Sequence, residues 1–285
     1  MPAPHIGLIV TGKSAAAEFQ IFCKSLEVWH PDASLYVFTD TVTKPLIAET
    51  HFKGAIHCRT TLDPYTGLTR TDMEARPGRS STMSLWTEFM YEKASVLEWM
   101  WEVQPAVETE GAWFMDTDIT HLAPLPTIPS HASVALSPHY IRDSDCKKFG
   151  KYNGGYLWMK DRSLIKAWCD AGPTSRFYEQ AALEYVAAAA AGGLYEFPIQ
   201  VNFGWWRMYQ GSESPPLIQS KFSIYRPDTS AGVRFDGAVL QSIHTHWHDK
   251  TSVTGAFNAW FDAWTRRFAT AHRPLVQLRA TIGLR

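Results

Sequence analysis

The stretch AWFMDTDITHL, residues 112–122, is four apolar residues followed by two aspartates with one residue between them. An apolar run of that length reads as a short buried strand, Ala112 to Met115, that delivers Asp116 and Asp118 at its end. In open α/β sheets the carboxyl ends of the strands are where ligands bind. Two like charges held there need a partner. A hard divalent cation, Mg2+ or Mn2+, satisfies both carboxylates and bridges to a diphosphate. A bare Asp-x-Asp also describes two solvated loop aspartates, so the flanking pattern has to decide.

Upstream, His5 to Val10 is an apolar run ending in Thr11-Gly12-Lys13-Ser14, and Ala15 to Trp29 carries Phe19, Phe22, Cys23, Leu26 and Trp29 on one helical stripe. Ser34 to Asp40 reads as a second strand and Gly54 to Arg59 as a weaker third. Thr60 to Thr82 has no apolar period and is expected to be a long loop, a length that compact domains keep for function, such as a lid. Leu85 to Glu102 has helical spacing through Phe89, Lys93, Val96, Leu97 and Met100. Downstream, Pro124, Pro126 and Pro129 end any helix, and Ser133 to Ser137 and Gly155 to Met159 read as strands. Helices follow near Ser163 to Ala171 and Arg176 to Ala191, then a strand over Leu240 to Trp247 and a terminal helix over Ala256 to Ala271. Strands alternating with helices predict an α/β fold with a mostly parallel sheet. No internal repeat or linker divides residues 1–285, so a single domain is expected.

The 285 residues, 45% hydrophobic, suffice for a packed core. A net charge of −1 offers no basic face for a nucleic acid. Cys23, Cys58, Cys146 and Cys169 show no CxxC pairing and read as reduced thiols of a cytoplasmic protein. No apolar stretch reaches the ~18 residues of a membrane span. A soluble chain without a transmembrane segment is expected, with peripheral membrane contact left open.

Several further residues have the chemistry of a site. Lys93 sits mid-helix among apolar neighbours, either snorkelling to solvent or aimed at the aspartates. Asn153-Gly154-Gly155 precedes an apolar strand, where glycines admit close approach to the backbone and the amide offers donors and acceptors. In Ile243 to Lys250, alternate strand positions would put His244, His246 and His248 on one side, and an imidazole is a good third ligand for Mn2+. Thr11 and Asp40 close the first two strands, and plain turn chemistry explains them as readily as binding does.

Taken together, WFMDTDITHLAPLP, the Lys93 helix before it and YNGGYLWMKD after it resemble the glycosyltransferase A fold of the nucleotide-diphospho-sugar transferases, with the family-8 type nearest in pattern. The resemblance implies a Rossmann-like, mostly parallel sheet flanked by helices, with a nucleotide-sugar-binding half over 1–120 and an acceptor-binding half over 121–285. It implies Mn2+ or Mg2+ held by Asp116 and Asp118, with His244 or His246 as a further ligand. It places Thr11, Gly12 and Asp40 near the base and ribose, Asp116 on the ribose side of the metal, and Asn153, Gly154, Gly155, Lys93 and Lys250 against the rest of the donor. Glu179 and Gln180 resemble the acidic-Gln pair near the reacting carbon. The implied activity is sugar transfer from a UDP-sugar, or a GDP-sugar, to a glycan or lipid-linked acceptor, with a lean toward retention. The usual Gly-Lys-Pro-Trp ending is missing after the histidines.

Two other classes compete. Asp116-x-Asp118-x-Thr120 after a strand also fits the haloacid-dehalogenase-like phosphatases, although there the motif normally opens the fold, whereas three strands precede it here. With 12 Trp and 11 Tyr, a non-catalytic carbohydrate-binding module is the second, but most of these rings fall at core spacing. A sugar-nucleotide pyrophosphorylase would need a glycine-rich opening loop after Val10, and none is there.

Overall fold

Strands with both faces covered are apolar along their whole length, and the first two strands follow that rule. The computed structural model describes residues 2–79, 82–225, 232–269, 279–280 and 283. The chain begins β1 (His5–Val10), α1 (Gly12–Glu27), β2 (Ser34–Thr39), α2 (Lys44–Ala48), β3 (Ala55–Thr60), α3 (Arg70–Glu74), α4 (Leu85–Val103) and α5 (Val107–Glu110). It continues β4 (Ala112–Met115), β5 (Ile119–His121), β6 (Val134–Pro138), α6 (Asp143–Phe149), β7 (Tyr152–Met159), α7 (Ser163–Ala171), α8 (Tyr178–Ala189) and β8 (Leu194–Glu196). It ends β9 (Phe203–Gly204), α9 (Trp205–Tyr209), α10 (Pro215–Ser220), β10 (Phe222–Tyr225), β11 (Gly232–Phe235), β12 (Ala238–Val239), β13 (Ser242–His244) and α11 (Val253–Ala269).

The main sheet has the order β3-β2-β1-β4-β7-β6-β8. Strands β1 to β4 are parallel, β7 runs against both β4 and β6, and β8 is parallel to β6. The period-2 alternation of side chains sorts the core into two layers. Tyr36, Phe38 and Phe114 pack with Phe89, Val96, Leu97 and Met100 of α4 and with Trp168 of α7. Ile6, Leu8, Val10, Leu35, Val37 and Met115 pack with Phe19, Phe22 and Leu26 of α1 on the other face. This is an α/β fold with a mixed, mostly parallel central sheet flanked by helices.

A second sheet of three short strands, β5-β13-β9, leaves the main one just past the aspartates. Strand β13 pairs antiparallel with β5, putting His244 opposite Ile119, and parallel with β9, putting His244 beside Gly204.

The structure corrects four sequence expectations. The span 60–82 is not all loop: Thr69 and Asp72 form a reciprocal capping box that starts the helix α3. The strand expected over Leu240 to Trp247 is shorter, Ser242–His244, because the chain turns at His246, whose carbonyl accepts from the Asp249 N–H and from Asn258 Nδ2. His244, His246 and His248 therefore do not share one strand face. Asn153-Gly154-Gly155 lies inside β7 rather than before it. The first helix starts at Gly12, whose φ of 82° is cheap only for glycine. The terminal helix is described to Ala269, and Ala271 lies outside the described residues.

Candidate metal centre and donor site

The end of β4 carries Asp116, whose N–H bonds the Gly155 carbonyl of β7 at 2.8 Å. Two residues on, Asp118 sits where the chain enters β5, opposite the end of β13. His244 Nε2 lies 3.1 Å from Asp118 Oδ1 and 3.9 Å from Asp116 Oδ2. One ligand atom from each of Asp116, Asp118 and His244 falls within 4.8 Å of the others. Two carboxylate oxygens and one imidazole nitrogen form a donor set suited to a divalent ion, and the imidazole favours Mn2+ over Mg2+.

Two glycines let this cluster close. A Cβ on Gly155 would fall on the Asp116 carboxylate and the His244 ring, and one on Gly154 would fall on Glu179 Oε1. The space beside these α-carbons is taken by the side chains of Asp116, His244 and Glu179.

Lys93 is buried, with its side chain 3% exposed, so it does not snorkel. Its Nζ lies 2.8 Å from Glu179 Oε1 and 3.2 Å from Asp116 Oδ1, and donates to the Gly154 carbonyl at 3.2 Å. Burial alone would lower its pKa, but Asp116 and Glu179 hold it above the ordinary lysine value, so it is a fixed positive charge. For Glu179, burial raises the pKa and Lys93 partly offsets this. Gln180 Oε1 accepts from the Gly154 N–H at 3.3 Å.

The other predicted residues fall around this core. Asp40 accepts from Thr11 Oγ1 at 2.5 Å and from Thr43 Oγ1 at 2.7 Å, and from the N–H groups of Val42 and Thr43. Its carboxylate is spent on the turn that ties the ends of β1 and β2, and Gly12 N–H joins it through Thr43. His246 is exposed, with Nδ1 3.3 Å from Asp118 Oδ2, and stands outside the triad. Lys250 is exposed on the loop after His248.

Two residues of the site were not legible in the sequence. Asn202, fully buried, meets His244 Nδ1 through its Oδ1 at 2.8 Å. Glu18 of α1 is 2% exposed, and its Oε1 accepts from the His248 N–H. A glutamate on the buried stripe beside Phe19 and Phe22 was the available signal. Burial, with Asp118 adding to it, pushes Glu18 up to about 8. For His244, burial lowers the pKa, but Asp118 and Asp116 outweigh it and raise the ring above its ordinary value. For Asp118, burial works against ionisation, yet His244 and His246 hold it below the usual carboxylate range.

These shifts set a pH dependence. Glu18 and His244 both hold their protons more tightly folded than unfolded. Their contribution is full below the ordinary values of 4.5 and 6.5 and is lost as pH rises through the folded ones. In chelator, the melting temperature should therefore fall from about pH 5 to pH 8, and Glu18→Gln should flatten that fall. An unchanged slope in the variant would remove Glu18 from the account. A divalent cation bound through His244 would have to displace its proton, so the affinity of any such ion should rise with pH.

A cavity of about 280 Å3 beside His5, Gly111 and Lys160 lies at the opposite end of these strands and takes no part in the cluster.

No protein-family profile and no curated protein sequence matches the chain. Among solved structures it is similar to an active-site mutant of LgtC, with 14% identity and a TM-score of 0.51 over 91% of this chain and 95% of that one. The galactosyltransferase LgtC in complex with donor and acceptor sugar analogs matches at 15% identity and a TM-score of 0.48, over 84% of this chain and 86% of that one. The apo bifunctional glycosyltransferase WbbM matches at 9% identity and a TM-score of 0.48, over 76% of this chain and 42% of that one. At such identities the likeness establishes the fold, the glycosyltransferase A fold of LgtC.

Proposed function

We propose that this protein is a metal-dependent glycosyltransferase that moves a sugar from a nucleotide diphosphate, UDP before GDP, to a hydroxyl of a glycan or lipid-linked acceptor. The observation that carries the reading is the convergence of Asp116, Asp118 and His244 at the carboxyl edge of the sheet, on a glycosyltransferase A fold. The donor half is assigned to 1–120 and the acceptor half to 121–285. A divalent cation, if held by this triad, would supply the positive charge that offsets a diphosphate leaving group. Asp116, Asp118 and His244 Nε2 would hold that ion. Lys93 fixes the two carboxylates it touches, and adds a charge that needs no reorganisation during reaction. Glu179 and Gln180, packed on Gly154, face the sugar together with Asn153. Thr11 and Gly12, shaped by Asp40, form the nucleoside end, and Lys250 approaches the diphosphate from the exposed loop.

The proposal includes retention of anomeric configuration and a cytoplasmic location with peripheral membrane contact. Among the described residues no helix is long and apolar enough to cross a membrane.

A thermal-shift and hydrolysis screen against UDP-, GDP- and dTDP-sugars, with and without Mn2+, tests the reading. A donor at a hundred times its Kd adds about 2.7 kcal/mol of stability, a rise of roughly 5 °C or more. One donor should give that rise and slow sugar release only with metal. Silence toward every donor, with Mg2+-dependent cleavage of a generic phosphate ester, would transfer the aspartates to phosphatase chemistry.

A further inference from the structure

The side chain that joins the metal triad to the Asn153–Gly155 segment is Asn202, and the identity of its atoms can be read from a fixed donor. The Gly155 backbone N–H can only donate, and it bonds an Asn153 side-chain atom at 3.0 Å, so that atom is Oδ1. Asn153 Oδ1 in turn faces Asn202 at 3.0 Å, so the Asn202 atom there is Nδ2, which also donates to Ser137 Oγ at 3.1 Å. The remaining atom, Asn202 Oδ1, is an acceptor only. His244 Nδ1, 2.8 Å away, must therefore carry a hydrogen.

We infer that Asn202 is a positioning residue for the metal site: by accepting from His244 Nδ1 it fixes the tautomer that turns the Nε2 lone pair toward Asp116 and Asp118. The same side chain ties that ligand to the Asn153–Gly155 segment of β7. This rests on the metal reading proposed above and assigns the residue that makes it work. Partners that orient a ligating imidazole are worth 10–100-fold in metal affinity in other proteins, by rough precedent.

The surroundings hold Asn202 rigidly. Its φ is 55°, a region asparagine enters more readily than most residues. Its own N–H bonds Ser242 Oγ at 2.8 Å, on the strand that carries His244. The fully buried Arg207 binds the carbonyls of Ile199 and Val201 just before it, and those of Pro138 and His139.

Two substitutions separate positioning from mere support of the backbone. Asn202→Gly adopts the same φ without strain and removes the acceptor, whereas Asn202→Asp keeps an acceptor. Mn2+ binding, read from the free-ion resonance signal in a titration, should weaken about 10–100-fold in Asn202→Gly. It should stay within severalfold of the parent in Asn202→Asp. Equal binding by Asn202→Gly and the parent, or equal weakening in both variants, overturns the inference and leaves the metal reading standing. A parent protein that binds no Mn2+, matching Asp118→Ala, brings down both. Nitrogen-15 shifts of the His244 ring in the unsubstituted, metal-free protein at alkaline pH, assigned against His244→Gln, should show the Nδ1–H tautomer. The Nε2–H tautomer there overturns the inference without relying on either variant to fold.

Discussion

Asp118→Ala should leave a folded protein that no longer responds to Mn2+ and releases sugar from its donor at least about 100- to 1,000-fold more slowly. The magnitude follows from several kcal/mol of charge stabilisation at the leaving diphosphate, at about 1.4 kcal/mol per factor of ten. The fold should survive because the partner adapts. Without Asp118, burial acts on His244 with less to oppose it, so the ring sheds its proton instead of standing as an unpaired buried cation. Asp118→Asn keeps the shape of the side chain and should show the same loss of metal response. A variant that binds Mn2+ and turns over donor like the parent would end the assignment of this residue as a ligand.

Lys93→Met should cost about 3–5 kcal/mol of stability, the usual consequence of removing one partner from a buried ion pair. For a chain of this size that is a fall of roughly 6 °C or more in melting temperature. Glu179 is 2% exposed, and the lysine lies 2.8 Å from it and 3.2 Å from Asp116. Its loss leaves the buried Glu179 without its cation and Asp116 with only His244, 3.9 Å away. Combining Lys93→Met with Glu179→Gln should restore part of the loss, because the variants share a partner and cannot add independently. Thermal and urea unfolding of the two single variants and the pair give the coupling directly. A Lys93→Met protein within about 0.5 kcal/mol of the parent would mean the ammonium is solvated, against the burial seen here.

Much of the site was legible because its chemistry is local. Asp116 and Asp118 are two residues apart at the end of an apolar strand, and Asn153-Gly154-Gly155 is contiguous, so composition and spacing singled out both. Their reasons differed in legibility. The glycines read as room for a ligand, but the structure fills that room with Asp116, His244 and Glu179. Asp40 read equally well as a turn residue or a ribose contact, and its oxygens are spent on the turn. Of the two histidines, His244 fits the resemblance better in spacing and apolar lead-in, with His246 as the alternative; in the structure His244 is buried in the triad and His246 is exposed, each within 3.3 Å of Asp118.

By itself, the sequence determined the alternating α/β order, the strand that presents the aspartates and the buried stripes that cover the sheet, because each of these repeats with the period of the backbone. Only the tertiary structure decided that Asn202 and Glu18 join the groups around those aspartates. His244 and Asn202 are 42 residues apart, and Glu18 and His248 are 230 apart. They are brought together by β5, β9 and β13, strands of two or three residues. Segments that short carry no periodic signal, and their pairing is fixed by side-chain contacts and buried hydrogen bonds that exist only once the chain has folded.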